Sequence, residues 1–441
     1  MPGIFYSSID DITKADFTLL EHRGSKFSEL TNSLGHFKCA TSTDFNQIVA
    51  NNTGMLMLDG FVFNSINELC DVNWLSQQFS NDFDHNIEIV RNLKGEFSIT
   101  WITDEKVMFF SDYAGYRPLF FSYDEKHISL CNITNIMVEL TGSYYKTKAN
   151  SAYCWEKRTG SINKKQIYYF DLTQNVNNWD TVFEKFENSI KCYYSNLRSI
   201  TLISSGYDSS VIACAVNKLF PDYNNFYYVY SEYENNQVME QRSKIHDFET
   251  IYLAKDNWSK NTKPLYKDTY KIYKKLPNKF ILQCRTVRDD IKNLFTSNQN
   301  IAAVYWELCK NHMDNEQFIM TGEGADDVFS DAGYKGIRLR PTDSQFGGLF
   351  PRDLEIEWPW VFPFNPNRNL TFTAQQQKDI ATPLSDKDLV QAFLNTTQDL
   401  KNSRYKAWLA QYMEDHNYPY DSIETKEVDL AEDMKIGFYT V

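Results

Sequence analysis

Residues 200–216 constrain this chain more than any other stretch. Ile200-Thr201-Leu202-Ile203 is apolar and β-prone, Ser204-Ser205-Gly206-Tyr207-Asp208-Ser209-Ser210 is dominated by small residues, and Val211-Ile212-Ala213-Cys214-Ala215-Val216 continues as a buried helical run. The pattern predicts a strand that passes through a tight loop into a helix, the unit from which parallel α/β sheets are built. Small residues let backbone N–H groups approach phosphate oxygens, and a helix N-terminus adds positive potential. Asp208 inside such a loop would repel phosphate unless a metal lies between them, which points to a Mg²⁺–pyrophosphate site. No Lys follows the glycine at the spacing of the Walker loop. A Ser-rich strand–loop–helix is also an ordinary α/β turn, so the loop alone does not decide.

A second segment repeats the design. Thr321-Gly322-Glu323-Gly324-Ala325-Asp326-Asp327 follows the apolar Phe318-Ile319-Met320, again placing acidic residues at the end of a strand. Open parallel sheets bind ligands at the carboxyl ends of their strands, so the two loops are expected to bring Asp208 and Asp326 to one metal–pyrophosphate group.

The rest of the chain divides into two regimes. Over roughly the first 170 residues, Met55-Leu56-Met57-Leu58, Phe97-Ser98-Ile99-Thr100-Trp101, Val107-Met108-Phe109-Phe110, Leu119-Phe120-Phe121 and Ile128-Ser129-Leu130 read as closely spaced strands, as in stacked antiparallel sheets. Leu172 to Asp180 is polar and turn-rich, a domain junction, and Asp180 is the expected cap of a helix carrying Val182, Phe183, Phe186 and Ile190. Strands are expected at 200–203, 225–230 and 250–253 with helices between them, the last near 236–247, which is the alternation of a doubly wound parallel sheet. Residues 335–380, with five prolines, are expected to be irregular.

Composition removes several classes of function. A length of 441 residues fits two domains, and 42% hydrophobic and 15% aromatic residues suffice for two cores. A net charge of −13 argues against general nucleic-acid binding and against attraction to anionic membranes. No run of apolar residues is long enough to span a bilayer, and the start of the chain lacks a signal-peptide pattern, so a cytoplasmic protein is expected. The eight cysteines and seven histidines are scattered without zinc spacing.

The two acidic loops, in this order, resemble those of the asparagine synthetase family, Ser-Gly-Gly-x-Asp-Ser-Ser and Ser-Gly-Glu-Gly-Ala-Asp-Glu. Gly333-Tyr334, Pro383-Leu384-Ser385-Asp386 and, more loosely, Lys426 extend the match. Met1-Pro2-Gly3-Ile4-Phe5, His22-Arg23-Gly24, Gly95-Glu96-Phe97 with Trp101, and Asp112-Tyr113-Ala114-Gly115-Tyr116-Arg117-Pro118-Leu119 are similar to segments of that family's glutaminase domain. The resemblance implies a glutaminase-like αββα sandwich of the N-terminal-nucleophile-hydrolase kind over 1–172. A doubly wound pyrophosphate-loop ATPase domain would follow over 180–441, giving α+β and then α/β.

Two departures bear on activity. The family's nucleophilic Cys is replaced by Pro2, which has no nucleophilic side chain. Its Asn-Gly oxyanion pair is replaced by Asp59-Gly60, and a carboxylate repels a developing oxyanion. Cys39 is internal and cannot substitute. The first domain is therefore expected not to hydrolyse glutamine.

For the second domain the resemblance implies an ATP-dependent, AMP-forming ligase. It would adenylate a carboxylate, release pyrophosphate and pass the acyl group to ammonia or an amine. Ser204, Ser205, Gly206, Asp208, Ser209 and Ser210 would cradle the pyrophosphate, with Gly324 from the second loop, and Val229 and Tyr230 would meet adenine through their backbone. Asp208 and Asp326 would hold Mg²⁺. Glu323 would take a proton from the attacking nitrogen, or would organise its loop or join the metal shell, and Lys426 would balance negative charge in the transition state or be a solvated surface residue. A Tyr stands at the position of Glu323 in β-lactam synthetases, so Glu323 favours intermolecular amidation. Glu240 is a further family-like carboxylate or a surface charge, and Arg285 and Arg288 could meet an anionic substrate or equally form surface ion pairs. The expected partners are a small-molecule or peptide carboxylate and a nitrogen donor, with no nucleic acid or membrane, and a homodimer stays open. Three other readings remain: an intramolecular cyclase of the lasso-peptide or β-lactam type, with Trp358–Phe364 lining a peptide groove; a non-catalytic scaffold; and a tRNA-thiolating relative, against which the acidity speaks.

Overall fold

Turn residues punctuate the apolar runs of the first part of the chain, and each run becomes a strand. The computed structural model describes residues 3–18, 20, 24, 26–41, 47–230, 234–252, 308–309, 311–329, 333–334, 337–338, 350, 352 and 378–421. The chain forms two units, Met1–Tyr169 with Trp358–Asp379, and Phe170–Glu357 with Ile380–Val441.

The first unit contains two six-stranded sheets. One takes β1 (Gly3–Ser7), β2 (Lys26–Asn32), β3 (Gly35–Thr41), β8 (Phe120–Tyr123), β9 (Ile128–Cys131) and β10 (Tyr145–Lys146), in the order β10-β8-β9-β1-β3-β2. The other takes β4 (Ile48–Ala50), β5 (Met55–Phe63), β6 (Lys94–Ile102), β7 (Lys106–Ser111), β11 (Ser151–Glu156) and β12 (Ile162–Gln166), in the order β12-β11-β7-β6-β5-β4. All neighbouring strands run antiparallel.

Period-two alternation gives each sheet an inner face. Ile4, Tyr6, Phe37 and Leu130 of the first sheet pack against Met55, Met57, Phe109 and Trp155 of the second. Burying each such side chain contributes roughly 1.5–3 kcal/mol. The outer faces are covered by helices. α3 (Thr134–Thr141) sets Ile136 and Met137 on Phe5, Ala40 and Cys131. On the second sheet, Phe79 at the end of α1 (Val72–Gln78) meets Trp101 with ring centroids 5.8 Å apart. Phe83 of α2 (Phe83–Asn92) meets Phe110 at 6.2 Å. Asp71 and Asp82 cap these two helices through their carboxylates. The layers are helix, sheet, sheet, helix.

One end of the inter-sheet face is polar. Asp59 on β5 pairs with Ser98 on β6, which pairs with Ser111 on β7. The buried Asp59 Oδ2 accepts from Asn132 Nδ2 at 2.8 Å, and Asn132 Oδ1 accepts the Ile4 N–H at 3.0 Å. Gly60 has φ +102°, and a Cβ there would stand 2.0 Å from the Glu96 carbonyl oxygen, so only glycine fits. The Cys39 thiol is buried and pushed up to about 12, by desolvation first and the Asp59 carboxylate second. It is not a nucleophile. Pro2, His22 and Arg23 lie outside the described residues.

In the second unit, β13 (Ser199–Ile203) pairs in parallel with β14 (Phe226–Tyr230) and with β16 (Phe318–Met320), and β14 pairs in parallel with β15 (Glu249–Tyr252). β17 (Gly333–Tyr334) and β18 (Ile337–Arg338) form a separate small hairpin. β19 (Asp379–Ala381) completes the order β15-β14-β13-β16-β19. The sequence moves one way from β13 to β15 and the other way to β16, so the strand order reverses between β13 and β16.

Helix α4 (Asp180–Asn196) begins differently from the expectation. Trp179 is its N-cap residue and no side chain caps it, because Asn178 Oδ1 takes the Asp180 N–H at 3.2 Å and draws Asp180 into the first turn. Val182, Phe186 and Ile190 are buried as expected, while Phe183 is half-buried. Helix α5 (Tyr207–Leu219) follows β13, and α6 (Asn236–Arg242) follows β14, ending well before 247. α7 (Ala325–Val328) is a single turn after β16. Pro383-Leu384-Ser385 is a 3₁₀ turn, and Asp386 caps α8 (Lys387–Leu394) by accepting from the Asp388 and Leu389 N–H groups. α9 (Gln398–Lys401) leads to α10 (Ala407–Asp415), whose Trp408 and Tyr412 meet Phe186 of α4 edge-on at 5.2 and 5.1 Å. Among the described residues, no helix is long and apolar enough to cross a membrane.

Candidate anion-binding site

The strand order reverses between β13 and β16, and at such a reversal open α/β sheets take ligands beyond the carboxyl ends of the strands. The two acidic loops leave from these two strand ends. They touch: a Cβ on Gly322 would stand 2.6 Å from the Asp208 carbonyl carbon, 2.7 Å from the Asp208 Cβ and 2.8 Å from the Ser209 nitrogen. Position 322 is glycine because the first loop occupies the space of a side chain.

Loop 204–210 has an open side and an inner side. Ser204, Gly206, Asp208 and Ser209 are half-buried. Gly206 is the N-cap of α5 and no side chain caps this helix, so the first turn keeps the polarity that attracts anions. Ser204 Oγ and Ser209 Oγ share a hydrogen bond of 2.8 Å, and the Ser204 N–H donates to Ser209 Oγ at 3.0 Å. Ser205 and Ser210 are fully buried and face inward. Ser210 Oγ donates to the carbonyls of Ser204 and Gly206. Ser205 donates through both its N–H and its hydroxyl to Glu234 Oε2, at 2.7 and 2.6 Å. In this structure the hydroxyls of Ser205 and Ser210 are bonded to Glu234 and to loop carbonyls, and they shape the loop from within.

Sequence reading missed three charged residues at this loop. Lys406, buried and left-handed at φ +47°, ψ +48°, presents its ammonium to Asp208 Oδ1. Arg242, fully buried, donates to the Ser204 carbonyl and to Ser210 Oγ, and through Nε to the Pro419 carbonyl at 2.8 Å. Glu234 is the third. The inward-facing charge of α6 is thus Arg242; Glu240 lies on the exposed side near Lys244. The stretch 418–421 is tied to the loop as well. The Asp421 N–H donates to the Ser205 carbonyl at 2.8 Å, and Asn235 Nδ2 donates to Asp421 Oδ1 at 3.0 Å.

The remaining expected residues fall as follows. Gly324 is left-handed, φ +92°, and serves as N-cap of α7. The Glu323 N–H approaches Thr321 Oγ1 at 3.4 Å. Val229 and Tyr230 end β14, with their backbone in register with Ile251 and Tyr252 of β15. Asp326 lies in α7, and only its backbone is described. Lys426, Arg285, Arg288 and Trp358–Phe364 lie outside the described residues.

Asp208 is about 30% exposed and already matched by an ammonium, and no group of three metal-ligating side chains occurs among the described residues. The uncapped start of α5 and the half-buried hydroxyls of Ser204 and Ser209 are donors suited to an anion, while the buried Lys406 ammonium offsets the Asp208 charge beside them.

No protein-family model matches the chain, and no curated protein matches it. Among solved structures it is similar to the glutamine phosphoribosylpyrophosphate amidotransferase from B. subtilis complexed with ADP and GMP, with a TM-score of 0.31 and 12% identity over 54% of this chain and 70% of that one. It is also similar to a structure described as the allosteric regulatory enzyme of purine biosynthesis, with a TM-score of 0.30 and 10% identity over 57% and 80%.

Proposed function

We propose that the second unit is an ATP-dependent, AMP-forming ligase that activates a carboxylate and joins it to ammonia or an amine. The observation that carries this reading is the contact of Gly322 with Asp208, which brings two acidic loops together at the strand-order reversal of a parallel sheet. ATP supplies the adenylyl group and leaves pyrophosphate.

The chain's own residues have separable tasks. Ser204, Gly206 and Ser209 line the open side of the loop and would hold the pyrophosphate. Lys406 neutralises negative charge beside the leaving group, the task expected of Lys426 from the family resemblance. Glu323, on the second loop, is the base for the attacking nitrogen. The backbone of Val229 and Tyr230 would meet adenine. Mg²⁺ on Asp208 and Asp326 belongs to this proposal; Asp208 would exchange its ammonium partner for the cation.

The first unit is read as a glutaminase-like sandwich without hydrolytic activity, since Asp59 takes the place of a neutral amide and Cys39 is inert. Nitrogen then comes from free ammonia, from another protein, or from an amine substrate.

The test is isotopic. With ¹⁸O in the substrate carboxylate, the reading expects one ¹⁸O in the AMP formed. Unlabelled AMP, or ADP with orthophosphate, contradicts it.

A further inference from the structure

Ser205 stands where the resembling family carries glycine, and it is the buried centre of a hydrogen-bonded group with Glu234, Asn235 and Asp421. Its N–H and hydroxyl both end on Glu234 Oε2, and its hydroxyl oxygen in turn accepts the Asn235 N–H at 3.1 Å. Its carbonyl accepts the Asp421 N–H. Every polar atom of residue 205 is thus bonded within the protein. Arg242 holds the two ends of the loop, through the Ser204 carbonyl and Ser210 Oγ. The Arg242 guanidinium lies 5.0 Å from the Tyr418 ring centroid and bonds Pro419, which fixes its fork.

A loop that receives an anion must have its donors set in advance, because reorganisation on binding is subtracted from affinity. Hydrogen bonds to a buried carboxylate are among the stronger ones available for this. We infer that Glu234 and Arg242 are positioning residues for the anion-binding loop: they hold residues 204–210 in their receiving conformation from the inner side, and Ser205 is serine to engage Glu234. The inference rests on the proposed nucleotide role of that loop. A negative side chain directed at a phosphate loop acts here through geometry rather than charge, since it meets the loop from behind.

Three forms of the chain test this: wild type, Glu234→Ala and Glu234→Gln. Hydrogen–deuterium exchange of the peptide spanning 203–211 is read without nucleotide, and affinity for Mg²⁺–ATP is read by calorimetry. Glu234→Ala is expected to raise exchange in that peptide about tenfold and to weaken affinity about tenfold, as loss of a charge-assisted pair of bonds implies. Glu234→Gln, which can still accept both bonds, is expected to restore both readings to within about threefold of wild type. If Glu234→Ala does not unfold the rest of the sheet, unchanged exchange at 203–211 overturns the inference; if it does unfold the sheet, Glu234→Gln matching it in both readings overturns it. Raised exchange with unchanged affinity also overturns it. Failure of wild type to bind Mg²⁺–ATP overturns the proposed function, and the positioning role with it, even where exchange responds as expected.

Discussion

Gly322 lies against Asp208 so closely that a single added carbon would stand 2.7 Å from the Asp208 Cβ. This contact joins two segments more than a hundred residues apart into one site, and it makes residue 322 a direct probe of that site.

Gly322→Ala forces a methyl into the backbone of residues 208 and 209, which cannot swing aside as a long side chain would. Overpacking of this kind costs about 1–3 kcal/mol. Chemical denaturation of the purified variant should show that loss, and nucleotide affinity should fall with it. An unchanged denaturation midpoint and affinity would show that the two loops are not in contact.

Lys406→Met removes the ammonium from Asp208 while keeping most of the buried stem. Loss of a preorganised charge at a leaving group costs about 10²–10³ in rate. The account expects that loss in kcat for pyrophosphate formation with a smaller change in KM for ATP. Equal loss in a variant at exposed Lys244 would show that general charge, not position, matters.

His246 gives the second unit a pH dependence. Burial first, and the Arg242 charge second, lower its pKa from 6.5 to about 4, while Nε2 meets Tyr418 Oη at 2.8 Å. The folded state therefore refuses a proton that the unfolded chain accepts. Stability from this group is present above about 6.5 and is lost as pH falls towards 4. Denaturation midpoints of wild type should fall across that window more steeply than those of His246→Phe. Parallel curves would contradict the assignment.

Glutamine should not be hydrolysed. The Cys39 thiol is buried and held up at about 12, and Asp59 is bonded to Asn132. Glutamate release should match a blank, and Cys39→Ala should change nothing. Glutamate release that disappears in Cys39→Ala would reverse the reading of the first unit.

The sequence showed the scaffold better than the chemistry behind it. Runs such as Met55-Leu56-Met57-Leu58 and Val107-Met108-Phe109-Phe110 became β5 and β7 because alternation and turn punctuation are local signals. The loop after β13 was legible as a strand–loop–helix turn because its small residues lie between an apolar β-prone run and a helical one. Lys406 was not, since Arg404-Tyr405-Lys406 reads as an exposed helix entry, and only tertiary packing buries its left-handed residue against Asp208. Arg242 and Glu234 were hidden for the same reason: both sit in polar stretches, and only the packing of β14 and α6 on the loop turns them inward. Asp180 was misplaced by one residue because Asn178, two positions earlier, competes for its N–H.

On the proposed function, the 204–210 loop serves adenylation of a carboxylate. Pyrophosphate release from Mg²⁺–ATP, measured against a panel of aspartate, glutamate, sugar acids and short peptides, each with ammonium, tests it most directly. The account predicts release that depends on one class of acid and disappears in Asp208→Ala. No release with any acid, together with no ATP binding, would contradict it and leave a protein that binds or scaffolds without catalysing.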